Sequence, residues 1–185
     1  LTPKVRELLR LILPAALGAG AVQINLVIDI ILASLLPKGS VSFLFYADRL
    51  NQLPIGVVGV AVGTAILPLL SRLLAQNDQA GAIAALNRAI ELTLFLALPA
   101  MVAFLVIADE LILTLFQRGQ FSPSDSRATA FALTAYTMGL PAYVLVKVLA
   151  PAFFARRDTR TPVMVGIVAM VVNVVLNLIL MQYLL

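Results

Sequence analysis

An acidic and a basic residue, Asp48 and Arg49, lie side by side within an apolar stretch long enough to cross a bilayer. The stretch runs from Val41 to Leu70 and reads VSFLFYADRLNQLPIGVVGVAVGTAILPLL. A lone Arg at the membrane centre costs roughly 2.5–3.5 kcal/mol on insertion scales. Adjacent helical residues do not face each other, so the two side chains cannot pair well. The pair therefore indicates a surface that faces the inside of the protein and is exposed to water. The alternative is an ion pair between the two residues.

The composition of the whole chain is that of a membrane protein. Hydrophobic residues make up 62% of it and charged residues 12%, against roughly 45–50% and 25% in soluble domains. We therefore predict an all-α, polytopic membrane protein. The chain has no Cys and no His, which excludes disulfides, thiolate metal sites and the usual general base. Hydrolase and nucleotide-binding motifs are also missing, so the sequence does not predict an enzyme, although carboxylate chemistry stays open.

Five membrane spans are predicted, because each needs about 20 mostly apolar residues. They cover residues 5–36, 41–74, 80–107, 124–155 and 161–185. Prolines inside the spans predict kinks, which suit a transporter with broken helices but also occur in ordinary membrane helices. Both ends of the chain are expected to be cuts inside a longer protein, because an apolar run begins almost at once and another stops abruptly.

The basic residues predict which end of each span faces the cytoplasm. One group of loops holds the larger number: Lys4, Arg6, Arg10, Arg72, Arg88, Arg156, Arg157 and Arg160. The other group holds Lys38, Arg118 and Arg127. The excess marks the first group as cytoplasmic and in contact with anionic membrane lipids, and no nucleic acid is expected as a partner.

The second outer connection is predicted to run from Asp109 to Asp125. Its piece from Glu110 to Gln117 resembles a short interfacial helix, ended by a glycine. Ser122 is then predicted as the N-cap of the next span, with a proline at the first helical position and Asp125 at the third.

Polar residues in the first and fifth predicted spans suggest a cation site. Asp29 lies in the first span, and Asn173 and Asn177 lie one turn apart on one face of the fifth. A carboxylate and several amides without an opposite charge suit a hard cation bound through oxygen. The alternative is hydrogen bonding between helices, which is favoured for Gln23 and Asn25.

Two further features lie in the second and fourth spans. Gly59 and Gly63 form the pattern of small residues that allows close helix approach, which indicates packing. Lys147 lies toward the predicted cytoplasmic end of the fourth span. Its side chain either extends to the lipid headgroups or lines a cavity.

Four long runs of sequence resemble one family. They are QINLVIDIILAS from Gln23, residues 39–72 around YADRL, LFQRGQFSPSDS from Leu115, and KVLAPAFFARRDTRTPV from Lys147. The chain resembles the MurJ/MviN lipid II flippases of the multidrug/oligosaccharidyl-lipid/polysaccharide exporter superfamily. By that resemblance it is part of the C-terminal lobe of a fourteen-helix transporter, and the N-terminal lobe is a missing partner.

The resemblance also implies roles for single residues. Such proteins move the lipid-linked peptidoglycan precursor, lipid II, from the inner to the outer leaflet of the bacterial inner membrane. Arg49 matches an arginine of the cationic cavity, Asp48 and Ser42 accompany it, and Lys147 is a further candidate contact with the substrate. Where some members carry a Glu after this Arg, this chain has Gln52.

The resemblance names sodium as the cation, with no other cofactor expected. Asp29 matches the acidic ligand of members that bind sodium, and Asn173 matches the amide ligand. Asn177 stands where those members carry an acid, so the site has one carboxylate fewer.

Two other functions stay open on the sequence alone. One is a sibling exporter of drugs or polysaccharide-linked lipids, which the YADRL and DTRTP runs disfavour. The other is a membrane scaffold fragment that transports nothing. Lipid II transport by alternating access, with Arg49 on the pyrophosphate, remains the leading hypothesis.

Overall fold

The computed structural model of the chain describes Gly20 and residues 23–184, the last two by backbone alone. Helices and the short connections between them account for these residues, and no strand is found among them, which confirms the all-α prediction. The elements are α1 (Gln23–Ser34), α2 (Ser40–Pro54), a π-helical segment (Ile55–Val60), α3 (Ala61–Ala75), α4 (Gln79–Phe116), α5 (Pro123–Met138), α6 (Leu140–Ala155) and α7 (Arg160–Leu184).

Several of these helices are long and apolar enough to cross a membrane. Three stretches qualify among the described residues: Ser40–Ala75, Gln79–Phe116 and Arg160–Gln182. The pair α5 and α6, bent by 45°, brings the number to four if it forms one span. The first predicted span lies largely outside the described residues, and its described part, α1, is shorter than a full crossing.

The helices divide into two compact units, one formed by α2 to α6 and the other holding α1 and α7. Three buried clusters follow one another through the first unit. The first cluster contains Ala47, Leu50, Ala108, Ile112, Ala130 and Leu133. The second contains Val58, Ala97, Leu140 and Val144. The third contains Ile66, Leu70, Ala82, Ala89 and Val148.

The order of these clusters shows that the spans of this unit run antiparallel. The first cluster joins the second half of α2, the end of α4 and α5. The third joins α3, the start of α4 and α6. Lys38 and Arg118 therefore flank one end of the unit, and Arg72 and Arg156 flank the other, as the alternation of basic loops requires.

The second predicted span contains a wide helical turn after one of its two prolines. Pro54 has no N–H to donate to the preceding turn, and the π-helical segment begins immediately after it. Pro68, by contrast, lies inside the continuous helix α3. π-helical turns are rare in proteins, and those that occur often lie at functional sites.

Gly59 and Gly63 allow α6 to lie against this span, which agrees with the predicted packing role. A Cβ on Gly63 would overlap the backbone carbonyl oxygen of Lys147. A Cβ on Gly59 would lie 3.2 Å from the Cβ of Lys147 and 3.3 Å from a methyl group of Val144. Any residue larger than glycine at position 63 would force the two helices apart.

The third predicted span ends where the helix breaks in the structure. Helix α4 extends from Gln79 to Phe116, but Ile107 has non-helical φ and ψ of −111° and 15°, so two helices meet at a kink there. The second of them, over residues 108–116, corresponds to the predicted short helix over residues 110–117, and it follows the kink directly without a loop. It packs into the first cluster through Ala108 and Ile112, which lie four residues apart on one face.

The start of α5 is as predicted. Ser122 is the N-cap, and its hydroxyl accepts a hydrogen bond from the backbone N–H of Asp125 at 3.3 Å. The carboxylate of Asp125 accepts one from the backbone N–H of Ser122 at 2.8 Å. This reciprocal capping box fixes where the helix begins. The span then bends at Gly139, next to Pro141, which agrees with a predicted kink.

Candidate functional site

One face of α2 carries a stripe of exposed side chains, here called the α2 stripe: Ser42, Phe45, Arg49 and Gln52. Spacings of three and four residues place all of them on the same side of the helix. The opposite side is buried through Ala47, Leu50 and Asn51. The stripe therefore points away from the core of its unit, and Asp48 lies half-buried beside it.

Arg49 is held from two sides by residues of the same helix. Its guanidinium carbon lies 4.6 Å from the centre of the Phe45 ring. Its Nη1 donates a hydrogen bond to the amide oxygen of Gln52 at 3.4 Å, and the amide nitrogen of Gln52 donates to the carboxylate of Asp48. Within the described part of the chain, Gln52 thus bridges the two charges, which form no direct ion pair.

This arrangement leaves Arg49 able to bind an anion. A guanidinium has five N–H donors in a planar fork, and the contact with Gln52 uses one of them. One oxygen of the Asp48 carboxylate accepts a hydrogen bond from the Gln52 amide, and among the described residues this carboxylate forms no ion pair with the guanidinium.

An aromatic cluster stands behind the stripe and joins α2 to the end of α4. The Tyr46 ring lies 4.9 Å from the ring of Phe116 and 5.7 Å from that of Phe121, measured between centres. Phe45 meets Tyr46 edge to face at 6.2 Å. The ring beneath Arg49 is therefore supported by residues from distant parts of the chain.

The other candidate substrate contact lies elsewhere. Lys147 is exposed on α6, and the first carbons of its side chain lie against Gly59, ten residues beyond Arg49 along the span. The structure places Ser42, Asp48 and Arg49 together on α2. It places Lys147 further along and on a different helix.

The candidate cation site lies in the second unit, between α1 and α7. Asp29 accepts hydrogen bonds from the amide of Asn177 at 3.1 Å and from the amide of Asn25 at 2.9 Å. Asn177 also donates to the side-chain oxygen of Asn173 at 3.1 Å. The three predicted ligands are thus brought together, and Asn25 joins them as a hydrogen-bonding residue.

The oxygen atoms of this group are of the kind that bind a monovalent cation. Asp29 provides the single carboxylate, and Asn173 and Asn177 provide amide groups. The side-chain oxygen of Asn25 is buried and has no partner among the described residues. No group of three or more acidic, His or Cys side chains is found in the described chain. Sodium accepts such oxygen ligands, provided that the Asn177 amide turns its oxygen toward the ion.

Sequence reasoning missed two residues that hold Arg49. From the sequence, Gln52 is interpreted only as the replacement of an acid, and no role is predicted for Phe45. The signal was nevertheless present, since the pairs Phe45–Arg49 and Asp48–Gln52 are each four residues apart and so adjacent on a helix.

Comparison with known proteins settles which family the fold represents. The family model described as lipid II flippase MurJ matches residues 1–185. The chain belongs to the MurJ family. It is 49% identical over 178 residues to a probable lipid II flippase MurJ of Rhizobium meliloti (strain 1021), covering 96% of this chain and 33% of that protein.

Other relatives support the same assignment. A probable lipid II flippase MurJ of Vibrio cholerae serotype O1 is 44% identical, with 95% of this chain and 33% of that protein covered. A solved structure described as lipid II flippase MurJ in an inward closed conformation matches with a TM-score of 0.81 at 32% identity. That match covers 95% of this chain and 37% of the solved one.

The matched region is shorter than the relatives themselves. The chain spans about a third of the length of the curated relatives. The family match and the apolar helices identify a bacterial membrane protein.

Proposed function

We propose that this chain forms part of a lipid II flippase, in which Arg49 binds the pyrophosphate of the lipid-linked precursor. The α2 stripe is the observation that carries the proposal. It exposes Arg49 together with Ser42 and Gln52 on a membrane-spanning helix, facing away from the core. A charged side chain inside a membrane is expected to face a wet cavity rather than lipid.

The chemistry of the two groups is complementary. A guanidinium binds a pyrophosphate through paired, charge-assisted hydrogen bonds. The attraction is stronger in a cavity of low dielectric constant than in water. Asp48 orients Gln52, which in turn holds Arg49, while Ser42 and Lys147 are proposed as further polar contacts with the headgroup.

In this proposal the protein crosses the bacterial inner membrane several times and works by alternating access. Two lobes rock about the headgroup site and expose it first to one side and then to the other. The N-terminal lobe would supply the opposite wall of the cavity, so the described helices would not transport lipid II alone.

The test replaces Arg49 in the full-length gene product that contains these residues. We expect Arg49→Ala to abolish growth when the variant is the only flippase in a flippase-depleted bacterium, with normal amounts of protein in the membrane. Arg88→Ala is the matched control, because Arg88 is exposed and paired with Glu91 on α4, away from the stripe.

A lysine in place of Arg49 separates charge from geometry. Arg49→Lys keeps the positive charge but loses the bidentate fork, so we expect partial growth or none. Normal growth of Arg49→Ala would refute the proposal. Loss of that variant from the membrane would instead assign Arg49 a structural role, since removing one member of a paired group destabilises a fold.

We also propose that Asp29, Asn173 and Asn177 bind sodium. The buried, unpartnered oxygen of Asn25 supports this, because such an atom lacks a favourable contact that an ion could provide. We expect Asp29→Asn to change the sodium dependence of transport by the full-length gene product, measured in vesicles with sodium or potassium. An unchanged sodium dependence in a folded variant would show that the group only joins two helices.

A further inference from the structure

We propose that Phe45 is a positioning residue that presents the Arg49 guanidinium to the pyrophosphate. The inference rests on the function proposed for Arg49 and adds a second residue to that site. Its basis is the contact between the cation and the ring, with 4.6 Å from the guanidinium carbon to the ring centre. A cation this close to an aromatic face is attracted by the negative charge of that face.

The contact restricts a side chain that would otherwise be free. Arginine has many rotamers, and fixing them when a ligand binds weakens the binding. Phe45 lies on one side of the guanidinium and Gln52 contacts it as well. Together they hold the planar group in place before the anion arrives, so less conformational freedom is lost on binding.

The ring of Phe45 is itself supported. It meets Tyr46 edge to face at an interplanar angle of 76°, and Tyr46 packs between Phe116 and Phe121. Phe116 and Phe121 in turn pack against the first buried cluster. A continuous series of contacts thus connects the core of the unit to Arg49.

The location of Phe45 distinguishes this role from ordinary contact with lipid. Its side chain is 52% exposed, as are many phenylalanines on membrane helices. Phe45 differs because it shares its face with Ser42, Arg49 and Gln52, the most polar face of α2. A ring needed only to contact lipid would lie on an apolar face.

The test measures the affinity of the full-length gene product, in nanodiscs, for a polyprenyl pyrophosphate. We expect Phe45→Leu to weaken binding by about 2- to 30-fold, the range that corresponds to exposed and desolvated cation–π contacts. Phe45→Tyr keeps the ring and should bind normally. Phe131→Leu is the matched control, because Phe131 is an exposed phenylalanine on α5.

A double-mutant cycle separates positioning from folding. If Phe45 acts through Arg49, Phe45→Leu should cause no further loss of binding once Arg49 is alanine. Equal losses in both backgrounds would overturn the role of Phe45 while leaving that of Arg49 intact. Unchanged binding by Arg49→Ala alone would overturn both proposals.

Fluorinated phenylalanines at position 45 keep the test decisive if the leucine variant does not fold. Successive fluorination weakens the negative face of the ring with little change in its shape. We expect the affinity for the pyrophosphate to fall step by step with the number of fluorine atoms. An affinity that is independent of fluorination would refute the cation–π role.

Discussion

Gly63 is a position where helix packing leaves no room for a side chain. A Cβ there would approach the carbonyl oxygen of Lys147 to less than 3.0 Å, closer than real Cβ atoms come to other atoms. The obstacle is backbone, so it cannot rotate away. In Gly63→Ala, α3 and α6 must therefore separate by at least a few tenths of an ångström, which loosens the contacts of the fully buried Val144 and Val148.

Two opposing effects set the size of the loss. Overpacking of this kind costs about 1–3 kcal/mol, whereas replacing glycine by alanine inside a helix gains roughly 0.5–1 kcal/mol. Because the obstacle is backbone, the overpacking cost lies toward the upper end of its range, about 2–3 kcal/mol. After the helical gain of roughly 0.5–1 kcal/mol, we expect Gly63→Ala to lower the free energy of unfolding by about 1–2.5 kcal/mol. The assay is denaturant unfolding of the full-length gene product in mixed micelles.

Gly56 and Gly59 provide graded controls in the same span. A Cβ on Gly56 meets nothing within 4 Å, so Gly56→Ala should be neutral or slightly stabilising. Gly59→Ala should fall between the two, because the atoms that it meets lie at 3.2–3.3 Å, and two of the three, Cγ of Lys147 and a methyl group of Val144, can move by side-chain rotation. If Gly63→Ala is as stable as Gly56→Ala, the close approach of α3 and α6 is wrong.

Two further predictions concern the membrane topology and a helix terminus. Single cysteines in place of Lys38 and Arg72 should react with impermeant reagents from opposite sides, the first from outside the cell; reaction from one side would refute the span assignment. Hydrogen bonds from the Thr161 side chain, from its backbone N–H and from that of Arg160 hold the pKa of Asp158 below its usual value of 3.8. The ionised carboxylate therefore stabilises the start of α7 at pH values above 3.8. This stabilisation is lost as the pH falls through the lower pKa of the folded state. A carboxyl ¹³C titration of Asp158 with its midpoint at or above 3.8 would contradict this.

The prolines show how far the sequence alone could go. Each proline within a span predicts a kink, because each removes a backbone donor. The structure has a π-helical segment after Pro54 and a bend beside Pro141. Pro68 and Pro99 lie within continuous helices. Whether the backbone breaks depends on what neighbouring helices pack against it, and the local sequence does not contain that information.

The candidate sites divide in the same way. The sequence by itself determined the membrane helices, the capping box at Ser122 and the common face of Arg49 and Gln52, because apolar length and residue spacing along one helix are local properties. Only the tertiary structure decided that Asp29 meets Asn177, 148 residues away, and that Tyr46 packs on Phe116. It also decided that the short helix after the kink at Ile107 follows the span without a loop, because Ala108 and Ile112 pack into a core built from three helices. Such contacts depend on which helices become neighbours, and the spacing of residues along one helix does not specify that choice.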